Sequence, residues 1–294
     1  MSSTLATRPS TPPTNRPAAR YRILTAAALA VAAVYFLVPV YWLAVSATKD
    51  TPGLFGSFGL WFHDPHPLRY LRAVLTYQDG VFVRWFANSL LYAGAGAVIA
   101  TLLSAAAGYA LATFRFPGRG AVLNVVLAGV LVPATALALP LYFLFAAVGL
   151  ADSYAAVLIP SVVSPFGVYL CRIYADAAVP ASLLEAARLD GAGEGRIFGG
   201  LVLRLMSPAL VTVFLFQFVH IWNNFFLPLV MLNDSTLYPI QLGLTQWLGY
   251  ADRQPVLYQY TVGGALLSVV PLMVLMGVLQ RYWRGGLADG SLKA

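Results

Sequence analysis

Charged side chains interrupt this chain at only a few places. Between them run six stretches without Asp, Glu, Lys or Arg: Ile23 to Ser46, Trp85 to Phe114, Ala121 to Ala151, Ser153 to Cys171, Leu205 to Asn233 and Gln254 to Gln280. At 1.5 Å rise per residue, each is long enough as a helix to cross a hydrocarbon core of about 30 Å. A backbone in lipid must satisfy its own polar groups, and the strands of a membrane barrel would alternate polar and apolar residues, which these runs do not. The pattern predicts an all-α polytopic membrane protein with six transmembrane helices.

Composition agrees, with 60% hydrophobic and 10% charged residues among 294. A soluble domain carries roughly a quarter charged residues, so a water-soluble enzyme is excluded. Six spans put both termini on one side. Thirteen of the eighteen basic residues then fall on that side, and five (Lys49, Arg69, Arg72, Arg84 and Arg253) on the other. The positive-inside rule makes the richer side cytoplasmic. The net charge of +7 therefore faces anionic lipid, and no nucleic-acid partner is needed to explain it. Cys171 is the single cysteine and reads as a buried structural thiol. His63, Asp64 and His66 have nothing to complete a coordination shell, so no metal site is expected.

The chain divides into a Ser/Thr/Pro-rich cytoplasmic tail (1–22), read as disordered, a first span (23–46), an extracytoplasmic loop with short interfacial helices (47–84), a five-helix core (85–281) and a cytoplasmic tail (282–294). In the second span Gly96, Ala100, Ser104, Gly108 and Ala112 recur every fourth position, a face on which another helix can approach closely. Prolines at 39, 133, 140, 160, 165, 228 and 271 are expected to kink the spans that hold them.

Between the fourth and fifth spans, within a cytoplasmic loop at 175–206, lies Val179-Pro180-Ala181-Ser182-Leu183-Leu184-Glu185-Ala186-Ala187-Arg188-Leu189-Asp190-Gly191-Ala192-Gly193. Ser182 with Glu185 is a capping-box pattern that predicts a helix start. Gly191 supplies a left-handed stop and a sharp turn. The expected object is a helical elbow at the membrane surface, kept low by Ala186 and Ala187.

Glu185-Ala186-Ala187, then Gly191, then Leu201-Val202-Leu203 resembles the EAA motif of permease subunits of bacterial ATP-binding-cassette importers. Leu37 to Trp42, Asn88-Ser89-Leu90, Gly108 to Arg119 and Trp222 to Leu229 extend the likeness toward sugar-importer permeases, especially the second permease subunit of maltose-type systems. The resemblance implies a type I importer permease fold and half of a translocation pathway. It implies four kinds of neighbour: a homologous permease, two ATPase subunits, an extracytoplasmic solute-binding protein and membrane lipid. ATP and Mg would be bound by the ATPases, with no cofactor in this chain. Glu185, Ala186, Ala187, Asp190 and Gly191 would form the coupling helix. The family usually has Pro at the position of Arg204 and often an acid at that of Asn224. Arg204 would let the elbow's second helix run continuously into the fifth span unless Pro208 takes over the kink.

A phosphate-binding loop needs Gly-Lys followed by Ser or Thr, and the two lysines, Lys49 and Lys293, follow Thr48 and Leu292. A non-catalytic subunit energised by another chain is expected. Candidates for the translocation pathway are the polar residues at membrane depth: Asn88, Tyr109, Gln217, His220, Asn223 and Asn224. An ion-coupled secondary transporter is the alternative, but its spans would carry ionisable groups, and here only His220 qualifies. An intramembrane hydrolase would need a nucleophile with its base or a zinc-binding helix, and neither is present.

Overall fold

The computed structural model describes the backbone of residues 19–290 and the side chains of residues 21–280. The tail expectations for 1–18 and 291–294 lie outside the described residues. Within them every regular element is helical.

Helix α1 (Ala19–Ser46) is uncharged from Ile23 onward and its described side chains from Tyr21 to Trp42 are exposed. It packs on the last helix, α15 (Val256–Gly290), and is buried only at its C-terminal end, at Val45 and Ser46. Such a surface is stable only in lipid or against another subunit. The following loop contains the expected short helices, α2 (Thr51–Gly56) and α3 (Pro67–Thr76). Pro67 occupies the first turn of α3, where its missing N–H costs nothing. Lys49, 1% exposed, donates from Nζ to the Phe58 carbonyl at 2.8 Å and closes the loop on itself. Three consecutive left-handed residues, Gln78 (φ 46°), Asp79 (φ 55°) and Gly80 (φ 78°), then reverse the chain.

Helix α4 (Val81–Thr113) is the axis of the molecule, 33 residues or about 50 Å long. It packs on α8 (Pro165–Ala178) and α12 (Ser207–Trp222). The small-residue face makes both contacts. A Cβ on Gly96 would meet Ile221 Cδ1 at 2.7 Å, and one on Gly108 would meet Cys171 Cβ at 2.6 Å and the Arg172 backbone nitrogen at 2.7 Å. Gly167 on α8 answers from the other side, where a Cβ would lie 2.6 Å from Ser104 Oγ. Two apolar cores form along α4. One surrounds Phe82, Trp85, Trp222 and Trp247; the other surrounds Tyr109, Cys171, Leu184, Ile197, Val202 and Met206.

Two of the six expected spans are sharply bent. The third is α5 (Arg119–Leu131) and α6 (Ala134–Ala147), bent by 105° at Pro133. The fifth does not run from Leu205 to Asn233. An 81° bend at Met206 separates the segment ending at Leu205 from α12, which stops at Trp222 before a separate α13 (Phe226–Met231). The continuous helix expected from Arg204 is therefore absent. Pro208, in the first turn of α12, takes over the kink instead: it has no N–H to donate to the Arg204 carbonyl, and its ring clashes there, so the helix cannot run on through Met206. Not every proline breaks its span. Pro39 and Pro271 lie inside continuous helices, and α7 (Tyr154–Ser161) and α8 form one 25-residue span across Pro160 and Pro165.

Candidate functional site

The elbow begins where α8 ends at Ala178. Helix α9 (Ala181–Leu189) is preceded by Pro180 as its cap residue, with no side-chain cap bond. The Ser182–Glu185 capping box does not form. Proline at the cap position moves the start two residues earlier, so Ser182 lies inside the first turn, and Glu185 is left pointing outward rather than folded back on its helix.

The C-terminus follows expectation. Gly191 adopts φ 78°. The Ala192 N–H donates to the Ala187 carbonyl and the Gly191 N–H to the Arg188 carbonyl, each at 3.0 Å. That pair of bonds is a Schellman cap. Across the turn Arg188 Nε donates to Glu194 Oε1 at 2.7 Å, which pushes the guanidinium's affinity for its proton up further. The chain then continues through α10 (Glu194–Ile197), a π-turn at Phe198–Val202 and α11 (Leu203–Leu205) to the Met206 bend.

The elbow has two unlike faces. Leu184, Ile197, Val202 and Met206 are buried against the ends of α4, α8 and α12, where the Tyr109 ring packs on Phe114 and Phe198. Glu185, Ala186, Asp190 and Gly191 are exposed, and Ala187 is half-buried. Leu189, which sequence reasoning passed over, is 89% exposed. It is the most exposed large apolar side chain among the described residues. The cue was present: Leu189 follows Leu184 by five positions, which cannot share its inward face on a 3.6-residue repeat.

The candidate pathway residues do not converge. Asn88 is buried, and Nδ2 donates to the Thr236 and Tyr238 carbonyls at 2.8 and 3.0 Å, while Oδ1 accepts from Tyr154 Oη at 3.0 Å. It belongs to a polar strip on α4 that straps the 235–240 segment. Trp85 Nε1 donates to the Ser235 carbonyl, Ser89 Oγ accepts from the Ile240 N–H, and Tyr92 Oη donates to the Leu237 carbonyl. The spacing of 85, 88, 89 and 92 is one helical face, a signal legible in sequence once sought. On the far side Asp152 Oδ1 accepts from the Asn233 and Asp234 N–H groups at 2.8 and 3.0 Å. Replacing Asn88 with leucine leaves the strap carbonyls unpaired, at a cost of about 1–3 kcal/mol for each buried group so stranded. A lower unfolding temperature and faster proteolysis at residues 235–240 are expected.

Tyr109 lies at the elbow, with its hydroxyl lacking a hydrogen-bond partner. Gln217 falls between Val213 and Ile221 on the α12 stripe that packs against Gly167 and Gly96. His220 and Asn223 are exposed on another stripe with Phe216, and Asn223 Nδ2 returns to the Val219 carbonyl at 2.9 Å. Asn224 Oδ1 accepts from the Leu227 N–H at 3.3 Å and starts α13. Among the described residues no three His, Cys, Asp or Glu side chains are placed to hold a metal ion.

Residues 100–284 match the family model described as the binding-protein-dependent transport system inner membrane component. The chain is 30% identical over 276 residues to the arabinooligosaccharides transport system permease protein AraQ of Bacillus subtilis, covering 93% of this chain and 96% of that one. It is 33% identical to the osmoprotective compounds uptake permease protein GgtD of Synechocystis, with 91% of each covered. Among solved structures it superposes with a TM-score of 0.77 and 25% identity on a bacterial ABC transporter involved in the import of the acidic polysaccharide alginate, over 92% of this chain and 99% of that one.

Proposed function

From the premise that this chain belongs to the family of binding-protein-dependent transport system inner membrane components, we propose that it is the sugar- or oligosaccharide-importing permease whose elbow receives the stroke of a separate ATPase. It is a multi-pass inner-membrane protein of type I importer fold with no catalytic role of its own. Both termini and the elbow face the cytoplasm, the second permease covers α1 and the exposed stripe of α12, and a solute-binding protein docks on the opposite side. ATP and Mg belong to the ATPase subunits.

The observation that carries this reading is the two-faced elbow. Its inner face is locked into the core that joins α4, α8 and α12, and its outer face offers Glu185, Ala186, Leu189, Asp190 and Gly191 to a partner. Glu185, released from the capping box, is available to a basic group, and Leu189 to an apolar cleft. A displacement of the elbow therefore moves the three helices it is packed against as packed units, because such a core does not compress. The differential contact required of any driven conformational change is the ATPase cleft, closed or open around α9. His220 and Asn223 on the exposed stripe of α12 are the side chains of the candidate set that remain placed to meet solute at the seam with the second permease. Asn88, Gln217 and Asn224 serve packing and capping, and Tyr109 serves the elbow.

The experiment uses the buried Cys171 to advantage. An Ala186→Cys variant introduces an exposed thiol on the elbow, and co-expressed ATPase subunits should be trapped there by a short thiol-reactive crosslinker in an ATP-dependent manner. If no ATPase is captured, and proteoliposomes holding the permeases alone accumulate sugar, the chain is an ion-coupled transporter instead.

A further inference from the structure

At the end of the bundle away from the elbow, a pocket of about 280 Å³ opens between the left-handed turn at 77–80, the end of α14 (Ile240–Tyr250) and the start of α15. Its walls are the aromatic rings of Tyr77, Trp247 and Tyr250 and the amides of Gln78, Gln246 and Gln254. No lining residue is charged. Tyr77 Oη donates to Gln254 Oε1 at 3.1 Å, which orients that amide and leaves its NH₂ unengaged. Gln78 and Gln246 make no side-chain hydrogen bond among the described residues. Trp247, 3% exposed and packed against Tyr77, Trp85 and Tyr260, keeps its Nε1 buried without an acceptor.

We propose that this pocket is a subsite for one ring of an uncharged sugar. The inference rests on the importer reading, which places the pocket on the extracytoplasmic side where solute arrives. A pyranose or furanose ring has an apolar face that suits an aromatic wall and a rim of hydroxyls that suits amides, which both donate and accept. The volume lies at the small end of ligand sites, about 300–1,000 Å³, so it holds a ring and not a chain. Acidic sugars and phosphorylated solutes are disfavoured because nothing in the lining neutralises an anion. Gln78 is held at φ 46° at the rim, a strained conformation of the kind that collects at ligand sites.

The test is saturation-transfer NMR on the assembled transporter in nanodiscs, with the binding protein omitted so that its own site contributes nothing. The probes are arabinotriose and maltotriose as neutral sugars and trigalacturonate as the acidic counterpart. Tyr250 is half exposed, so its truncation unpacks no core. At least one neutral sugar should bind, with apparent affinity lowered about fivefold or more by Tyr250→Ala and within about twofold of the parent for Tyr250→Phe. Equal binding by the parent and Tyr250→Ala, equal binding of trigalacturonate, or silence from both neutral probes overturns the subsite. ATPase capture at Ala186→Cys is read in the same preparation and speaks to the importer reading alone, so the two failures are told apart.

Discussion

Gly108→Ala is expected to lower the unfolding temperature and the yield of folded transporter markedly, although it adds a single methyl group. The new carbon would lie 2.6 Å from Cys171 Cβ and 2.7 Å from the Arg172 backbone nitrogen, distances that real Cβ atoms do not tolerate. Neither neighbour is the far end of a flexible side chain, so relief requires α4 and α8 to separate along the interface that carries most of the bundle. Overpacking of a dense core typically costs about 1–3 kcal/mol and sometimes more, against a total stability of about 5–15 kcal/mol for ordinary domains. A helix–helix contact between backbones belongs at the upper end of that cost. The control is Gly94→Ala on the same helix, where a Cβ meets nothing within 4 Å and the higher helix propensity of alanine should leave stability unchanged or raised. Size-exclusion chromatography and thermal unfolding of the two purified variants check the contrast. Equal behaviour of the pair would mean that α4 and α8 do not meet at Gly108.

Gly191→Val should do the opposite: spare the bundle and disconnect it from its motor. No atom lies within 4 Å of a Cβ at this position, so the substitution clashes with nothing in the chain. The backbone, however, stands at φ 78°, which costs an L-residue about 1–2 kcal/mol and a β-branched one more. The cheaper outcome is loss of the Schellman turn, with the Ala187 and Arg188 carbonyls uncapped and the outer face of α9 re-aimed. Solute-stimulated ATP hydrolysis and ATPase co-purification should fall by an order of magnitude or more, while the unfolding temperature stays near that of the parent. Gly191→Asn should retain intermediate coupling, since asparagine visits the left-handed region. Full uptake by Gly191→Val would show that the elbow's shape is not what transmits the stroke.

These outcomes separate what can be read along the chain from what cannot. The uncharged runs marked the apolar segments because water-exposed charge is costly at membrane depth, a property of residues taken one at a time. Gly191 was legible for a similar reason: few residues other than glycine end a helix in the left-handed region. The spacing of Gly96 and Gly108 named a packing face but not the partners, which are α12 and α8. The capping box failed because a proline two positions earlier competed for the helix start, and local patterns do not say which of two nearby caps wins. Asn88 looked like a pathway residue from its depth. Only the 235–240 strap, some 150 residues away, consumes its hydrogen-bonding capacity.

The sequence alone determined that the chain crosses a membrane repeatedly, that it carries an elbow turned by a glycine, and that it holds no phosphate-binding loop, since these follow from local chemistry and spacing. Tertiary packing decided which prolines break a helix. Pro133 and Pro208 mark the sharp bends because the segments on either side find separate surfaces to pack on, while Pro39 and Pro271 sit in helices that remain continuous. It also decided that the elbow faces two ways. Burial of Leu184 and exposure of Leu189 depend on where α4, α8 and α12 converge, and that convergence is a sum of contacts between residues distant in the chain.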